Sequence, residues 1–236
     1  MNQFAMAFTP EKLEEAWHVF LTEFPRGLWE TFYVTVLSTL FAIVIGLPLG
    51  ILLVAGDENG IHPMPKPLMK VINVIINFLR SVPFLILIVM VIPLTRAIIG
   101  TSIGSVASIV PLVVAAFPFV ARLVESSLRE LDPNIIEMAQ SMGSSTMQII
   151  FRVMLPESVP SLVTNFTLTI TTILGYTAMS GAMGGGGLGK IAINYGYSRY
   201  KYAVLYLAVI VLVLLVQVFQ SVGTRLAARL DKRIKK

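Results

Sequence analysis

Three features of this sequence hold residues whose types and spacing could do chemistry. Gly184, Gly189 and Lys190 fall in the order G-x4-G-K, the spacing by which a glycine-rich loop cradles phosphate with its backbone N–H groups. The next residue is Ile191, where magnesium binding requires a hydroxyl, and the stretch 158–180 before it is a long apolar run, not a short buried strand. Nucleotide binding is set aside. Ser180-Gly181 superficially resembles a serine nucleophile, but neither His18 nor His62 lies in an apolar run and no acidic pair faces the serine. The chain has no cysteine, which excludes thiol nucleophiles, disulfides, cysteine-based zinc sites and iron–sulfur clusters. Two histidines are too few for a histidine-rich metal centre. Arg80 is the third feature, a charge inside the apolar stretch 68–94. An arginine among membrane-depth residues is costly and by default functional. Two readings of it stand: snorkelling to the interface or pairing with a neighbouring subunit, and contact with a substrate.

No enzyme emerges from these residues, so the elements that carry them become the question. The most structured polar stretch is 137–156, EMAQSMGSSTMQIIFRVMLP, set between long apolar regions. Asp132-Pro133 supplies a helix start, an N-cap carboxylate followed by proline at the first helical position. Ile135, Met138, Ala139 and Met142 recur at helical spacing and form one apolar stripe. Gly143 suits the left-handed residue that ends such a helix. Ser145 and Gln148 have capping-box spacing and open a second helix, which Pro156 is expected to close. Two short amphipathic helices joined at a glycine form a docking platform for a soluble partner.

Composition sets the class. The chain of 236 residues is 56% hydrophobic and 13% charged, with a mean hydropathy of +0.80. Soluble domains carry about 25% charged residues, so a polytopic membrane protein is expected. The net charge of +5 is concentrated in the C-terminal tail beside an apolar run. That pattern fits juxtamembrane anchoring and gives no reason to expect nucleic acid.

The spacing of the platform also resembles a family. Glu137-Met138-Ala139, then Gly143 after three residues, then Val153-Met154-Leu155-Pro156 after nine more, is similar to the EAA loop of type I ABC importer permeases. Met138 and Val153 stand where Ala and Ile are usual. The resemblance covers about residues 31–223. Within the family, stretches 77–83, 182–189 and 195–200 look most like the D/L-methionine permeases. The resemblance implies a non-catalytic subunit that forms a homodimer with two cytoplasmic ABC ATPases and an extracytoplasmic substrate-binding (lipo)protein, in a bacterial inner membrane. It implies no cofactor on this chain, with ATP and magnesium held by the partner ATPase. Carried over residue by residue, it makes Glu137, Ala139, Gly143, Leu155 and Pro156 the coupling residues. Glu137 would orient or cap within the loop, Ala139 permit close approach and Gly143 allow the turn. Another amino acid or a small organic solute remains the alternative cargo. An ATP-independent carrier or channel would need mid-membrane ion sites and usually an inverted repeat, and no repeat is visible.

The expected fold is all-α and polytopic. Residues 1–30 form an amphipathic lead-in helix, with Ala16, Trp17, Phe20 and Phe24 as its stripe and no role in chemistry. Five spans follow, at about 31–55, 68–94, 103–121, 158–180 and 202–222, and a basic cytoplasmic tail occupies 224–236. The first span, about 37 Å as a helix, is expected to kink near Gly46, Pro48 and Gly50. The second is expected to be one helix bent at Pro83, the alternative being an interfacial stretch that precedes a shorter span. The third runs on past Ala121, with Glu125 and Arg129 as an i,i+4 pair. The fourth is rich in threonine, which suits close packing or an aqueous path. Thr172, Gly175 and Met179 there, with Arg80, Pro83, Gly185 and Gly186, are candidate pathway or gate residues. The glycine run 184–187 is expected to give tight packing or movement near an outer gate, and Tyr195, Tyr197, Tyr200 and Tyr202 to form an interfacial belt. With the C-terminus inside, eleven Lys and Arg fall on the inner side and six on the outer. The positive-inside rule therefore favours N-out, C-in, with the platform between spans 3 and 4 in the cytoplasm.

Overall fold

The computed structural model describes residues 9–231, and every regular element among them is helical. The elements are α1 (Pro10–Ala55), α2 (Lys66–Ser81), α3 (Phe84–Met90), α4 (Ile92–Ile99), α5 (Ile109–Arg129), α6 (Pro133–Ser141), α7 (Thr146–Ile149), α8 (Leu155–Ala182), α9 (Gly187–Ile191) and α10 (Tyr202–Leu230). Two π-helical turns, Ile150–Met154 and Ala192–Tyr197, precede α8 and follow α9. Among the described residues, four helices are long and apolar enough to cross a membrane, and five if α2 and α3 count as one broken span.

The residues divide into two compact units. One comprises residues up to Ser38, Pro83–Val113 and Ile170–Phe219; the other comprises Thr39–Val82, Val114–Thr169 and the residues from Gln220 onward. In the first unit, Ala16, Val19 and Phe24 of α1 are buried in one cluster with Leu188, Ile191 and Val204. Burial of that face explains why the expected lead-in and first span are one helix of 46 residues, with no break at residue 30. Trp17, placed on the lead-in stripe by spacing alone, points outward.

In the second unit α1 continues through Gly46, Pro48 and Gly50, and the two glycines serve close approach. A Cβ on Gly46 would sit 2.7 Å from Val120, and one on Gly50 2.5 Å from Val124, so α5 lies directly against the bare backbone of α1. Polar side chains bind α5 to α8. The Asn165 amide donates to the Ser127 hydroxyl (2.8 Å) and to the Leu123 carbonyl (3.3 Å), and Ser158 donates to the Ser127 carbonyl (3.3 Å). Arg122 joins α5 to α2, donating to Asn73 and Asn77 at 2.7 and 2.9 Å while pairing with Glu125.

Three expectations are corrected. The stretch 68–94 is not one bent helix. α2 stops at Ser81, whose hydroxyl turns back to the Asn77 carbonyl (2.8 Å), and Val82 and Pro83 are extended before α3 begins. A residue before proline is pushed out of the helical region, and proline offers no N–H to continue the ladder. The third span begins at Ile109 instead of 103, because residues 103–108 make a turn in which the Gly104 N–H donates to the Gly184 carbonyl. Pro156 does not close α7. The wide turn Ile150–Met154, in which the Leu155 N–H reaches the Ile150 carbonyl, carries the chain into α8 with Pro156 near its start. A π-turn just ahead of a proline relieves the clash that would otherwise end the helix.

The glycine contacts predict opposite outcomes at two positions. Gly50→Val should overpack the α1–α5 contact and destabilise by about 1–3 kcal/mol. Gly175→Ala meets nothing within 4 Å and should hold or slightly raise stability, since alanine favours a helix interior. Thermal unfolding of both variants in detergent checks the pair.

Candidate functional site

The platform is built as its capping residues dictate. The Asp132 carboxylate accepts from the Asn134 N–H (3.0 Å), with Pro133 opening α6. Gly143 has φ +76°, its N–H donates to the Gln140 carbonyl, and the Ser144 N–H donates to the Ala139 carbonyl, the paired bonds that close a helix C-terminus. α7 opens with a reciprocal capping box. The Gln148 side chain accepts from the Ser145 N–H (2.8 Å), and the Ser145 hydroxyl accepts from the Gln148 N–H (3.4 Å). Both short helices therefore have fixed ends.

Their outer face is apolar. Ala139 is buried and Ile135 half-buried, but Met138 and Met142 are 59% and 78% exposed, and Met147 and Phe151 are also exposed. The apolar stripe read from spacing is thus divided, with Ala139 buried and the two methionines exposed. Its methionines, adaptable and polarisable, are suited to contact with a partner surface. Glu137 is exposed in the middle of α6 and makes no hydrogen bond or ion pair among the described residues, so it caps nothing within the loop. The backbone groups around it are already paired within the helix. It lines a groove of about 300 Å³ with Asp57, Arg129, Gln140 and Met154. Leu155 is half-buried and Pro156 exposed at the start of α8.

Beside Glu137, Arg129 donates to Asp57 at 2.7 Å and to Glu125 at 3.1 Å, tying the 56–65 turn to the end of α5. The Arg129 guanidinium holds the Asp57 carboxyl below the usual carboxylate range, aided by the Glu58 N–H.

In the other unit, the glycine run packs onto α1. Glu30 Oε2 accepts from the Gly187 N–H (2.9 Å) and the Ser105 hydroxyl (2.7 Å), and Oε1 accepts from Arg26 Nε (3.0 Å). Thr31 accepts from the Leu188 N–H (2.9 Å). The backbone donors that a phosphate would use are already taken by a carboxylate and a hydroxyl. A Cβ on Gly186 would collide with Ser105 and Glu30, so the close approach requires glycine. Ser180 donates to Ser108 at 2.7 Å beside the buried Gly185.

The other candidate gate residues fall out as follows. Thr172, Gly175 and Met179 share one face of α8, half-buried, exposed and exposed. Pro83 is exposed at the start of α3. Arg80 is exposed in the last turn of α2, where a cation suits the helix dipole, and has no ion pair among the described residues. It belongs to the other unit from Pro83, Gly185 and Gly186.

Capped helices with an uncovered methionine face, between long apolar helices, match a known architecture. A family model described as the binding-protein-dependent transport system inner membrane component matches residues 46–236. The chain belongs to this family. The probable D-methionine transport system permease protein of Vibrio cholerae is 43% identical over 205 residues, covering 87% of this chain and 91% of that protein. Its counterpart in Pasteurella multocida is 47% identical over 204 residues, covering 86% and 94%. Among solved structures, a chain of the inward-facing MetNI methionine ABC transporter has a TM-score of 0.86 at 45% identity, covering 88% of this chain and 95% of its own.

In this inner-membrane transport component, Glu30 and Thr31 carry the contacts of the glycine run, a role that the expected end of the lead-in at residue 30 does not give them. The available signal was a carboxylate four residues after Arg26 and directly before a charge-free apolar run.

Two predictions come from the platform. No atom lies within 4 Å of a Cβ on Gly143, so a side chain there is opposed by backbone strain alone. Gly143→Asn should be tolerated, whereas the β-branched Gly143→Val should loosen the platform, with a cost of about 1–2 kcal/mol or more. Limited proteolysis at 140–150 should separate the two. For Asp57, a folded pKa below the unfolded one means that its stabilisation is complete above about pH 4 and is lost as pH falls through the lowered folded value. The stability gap between the unaltered chain and Asp57→Asn should therefore be present at pH 7 and shrink at pH 3, measured by thermal unfolding.

Proposed function

We propose that this chain is the permease subunit of an ATP-driven, binding-protein-dependent importer of methionine, working as a homodimer with two ATPase subunits and an extracytoplasmic binding protein. The observation that carries the reading is the uncovered face of Met138, Met142, Met147 and Phe151 on helices with capped ends, in a chain so similar to D-methionine permeases. A surface of this kind transmits force. When ATP closes the ATPase dimer, the platforms ride on it as rigid bodies, and the spans rock between inward- and outward-facing states. Glu137 stands free on that face to meet a partner's basic side chain, and Gly143 keeps the two helices at a fixed angle. The chain itself performs no covalent chemistry and holds no cofactor; ATP and magnesium sit on the ATPase. The orientation is N-out, C-in in the inner membrane, with the platform in the cytoplasm, as the Lys and Arg distribution favours.

The test is uptake of labelled methionine into vesicles holding this chain, its ATPase and its binding protein. ATP-dependent uptake requiring all three, and at least tenfold lower with Glu137→Ala/Gly143→Val, is the expected result. ATPase activity stimulated by the binding protein without methionine uptake would move the assignment to another amino acid or small organic solute. Uptake by this chain alone would overturn the ATP-driven assignment.

A further inference from the structure

α1 changes character at Glu30. Residues 31–55 contain no Asp, Glu, Lys or Arg, whereas the turn before them carries Arg26 and Glu30. At that boundary lies a recess of about 220 Å³, lined by Arg26 and Glu30 of α1 and by Lys190, Asn194, Tyr195 and Arg199 from the segment after the glycine run. Its size suits the headgroup of a larger molecule better than a whole drug-sized ligand, for which pockets run to about 300–1,000 Å³.

The charges in the recess are unevenly spent. Glu30 already accepts three hydrogen bonds, from Arg26, Ser105 and Gly187. Glu23 at the rim accepts from the Tyr195 hydroxyl at 3.4 Å. By contrast, Lys190 and Asn194 have no hydrogen bond or ion pair among the described residues. Arg199 contacts only the face of the Tyr195 ring, at 4.7 Å. Arg26 uses its Nε and leaves both terminal nitrogens free. Lys190, Asn194 and Arg199 thus present donors with no acceptor among the described residues, and the three cations of the recess outnumber its two carboxylates, of which Glu30 is already paired with Arg26 and Glu23 accepts from Tyr195. An oxygen-rich anion completes the recess.

The surroundings say where that anion comes from. Trp29, about 4.5 Å along the axis from Arg26, is 64% exposed and stacks with Phe32, itself exposed. Tyr197 and Tyr200, on the segment that carries Asn194 and Arg199, are also exposed. Exposed Trp and Tyr at the end of a charge-free apolar run mark the depth of lipid headgroups. We propose that this recess binds the phosphodiester of an anionic phospholipid, with Lys190 and Arg199 as its main contacts, Arg26 and Asn194 completing the donor set, and the Tyr195 ring holding Arg199 in place. The site holds the outer end of α1 against the segment after the glycine run through a lipid, in addition to the bonds of Glu30 and Thr31.

The test is a native mass spectrometry titration of the purified transporter complex with phosphatidylglycerol, with phosphatidylcholine and inorganic phosphate as separate arms. Saturable binding of phosphatidylglycerol in preference to phosphatidylcholine is expected. Lys190→Ala/Arg199→Ala should weaken it roughly 30-fold, at about fivefold per basic side chain. Lys190→Arg should retain binding, and Arg96→Ala, a cation outside the recess, should leave it unchanged; both also check that loss in the double variant is not misfolding. Equal affinity for the double variant and the unaltered chain would overturn the proposal. So would inorganic phosphate competing as tightly as the lipid, which would make this a soluble-anion site. A double variant that loses affinity for the binding protein while keeping the lipid would reassign the surface to protein docking.

Discussion

Backbone N–H groups buried where water is scarce must find acceptors within the protein, and at the glycine run that requirement organises the whole first unit. Glycines 184–187 leave the backbone bare enough to approach α1, and the approach buries the N–H groups of Gly187 and Leu188. Glu30 and Thr31 supply the acceptors, one residue apart on the same helix. Because Glu30 also takes the Ser105 hydroxyl, the turn before α5 is held to the same point. A single carboxylate therefore fixes three segments distant in sequence. It also explains why α1 must extend so far beyond its apolar run: without the buried face of Ala16, Val19 and Phe24, the helix would not hold Glu30 in place.

The second unit relies on close packing and on side-chain amides and hydroxyls. Bare glycine backbone on α1 lets α5 approach, and Asn165, Ser127 and Ser158 bind α5 to α8 without net charge. The ion pairs gather in the last two turns of α5, as Arg122–Glu125 within the helix and Arg129–Asp57 to the turn after α1. This gives the platform a firm base. The exposed methionine face therefore stands on helices whose ends are capped and whose roots are pinned.

The platform's rigidity comes from capped ends and packing, with no ion pair inside 133–156 among the described residues. Glu137 illustrates the point. It is exposed and makes no hydrogen bond or ion pair among the described residues, so nothing within them fixes its carboxylate. Arg80 likewise has no ion pair among the described residues and sits at a helix end, where the dipole stabilises it.

Local chemistry was legible from the sequence because it acts over a few residues. The Asp132 cap, the Ser145–Gln148 box and the left-handed Gly143 follow from residue type and spacing, and the helical class follows from composition and apolar run length. What local rules could not reach is anything decided by a distant neighbour. Pro156 reads as a helix stop, yet a π-turn carries the helix through it; Met138, Ala139 and Met142 read as one apolar stripe, yet Ala139 is buried while the two methionines stand exposed. Glu30 looked like one more charge on a lead-in helix, because its partners lie 75 and 157 residues away. Only the tertiary structure brings Ser105 and the glycine run to that carboxylate, since the choice is made by which buried donors need an acceptor once the helices have packed.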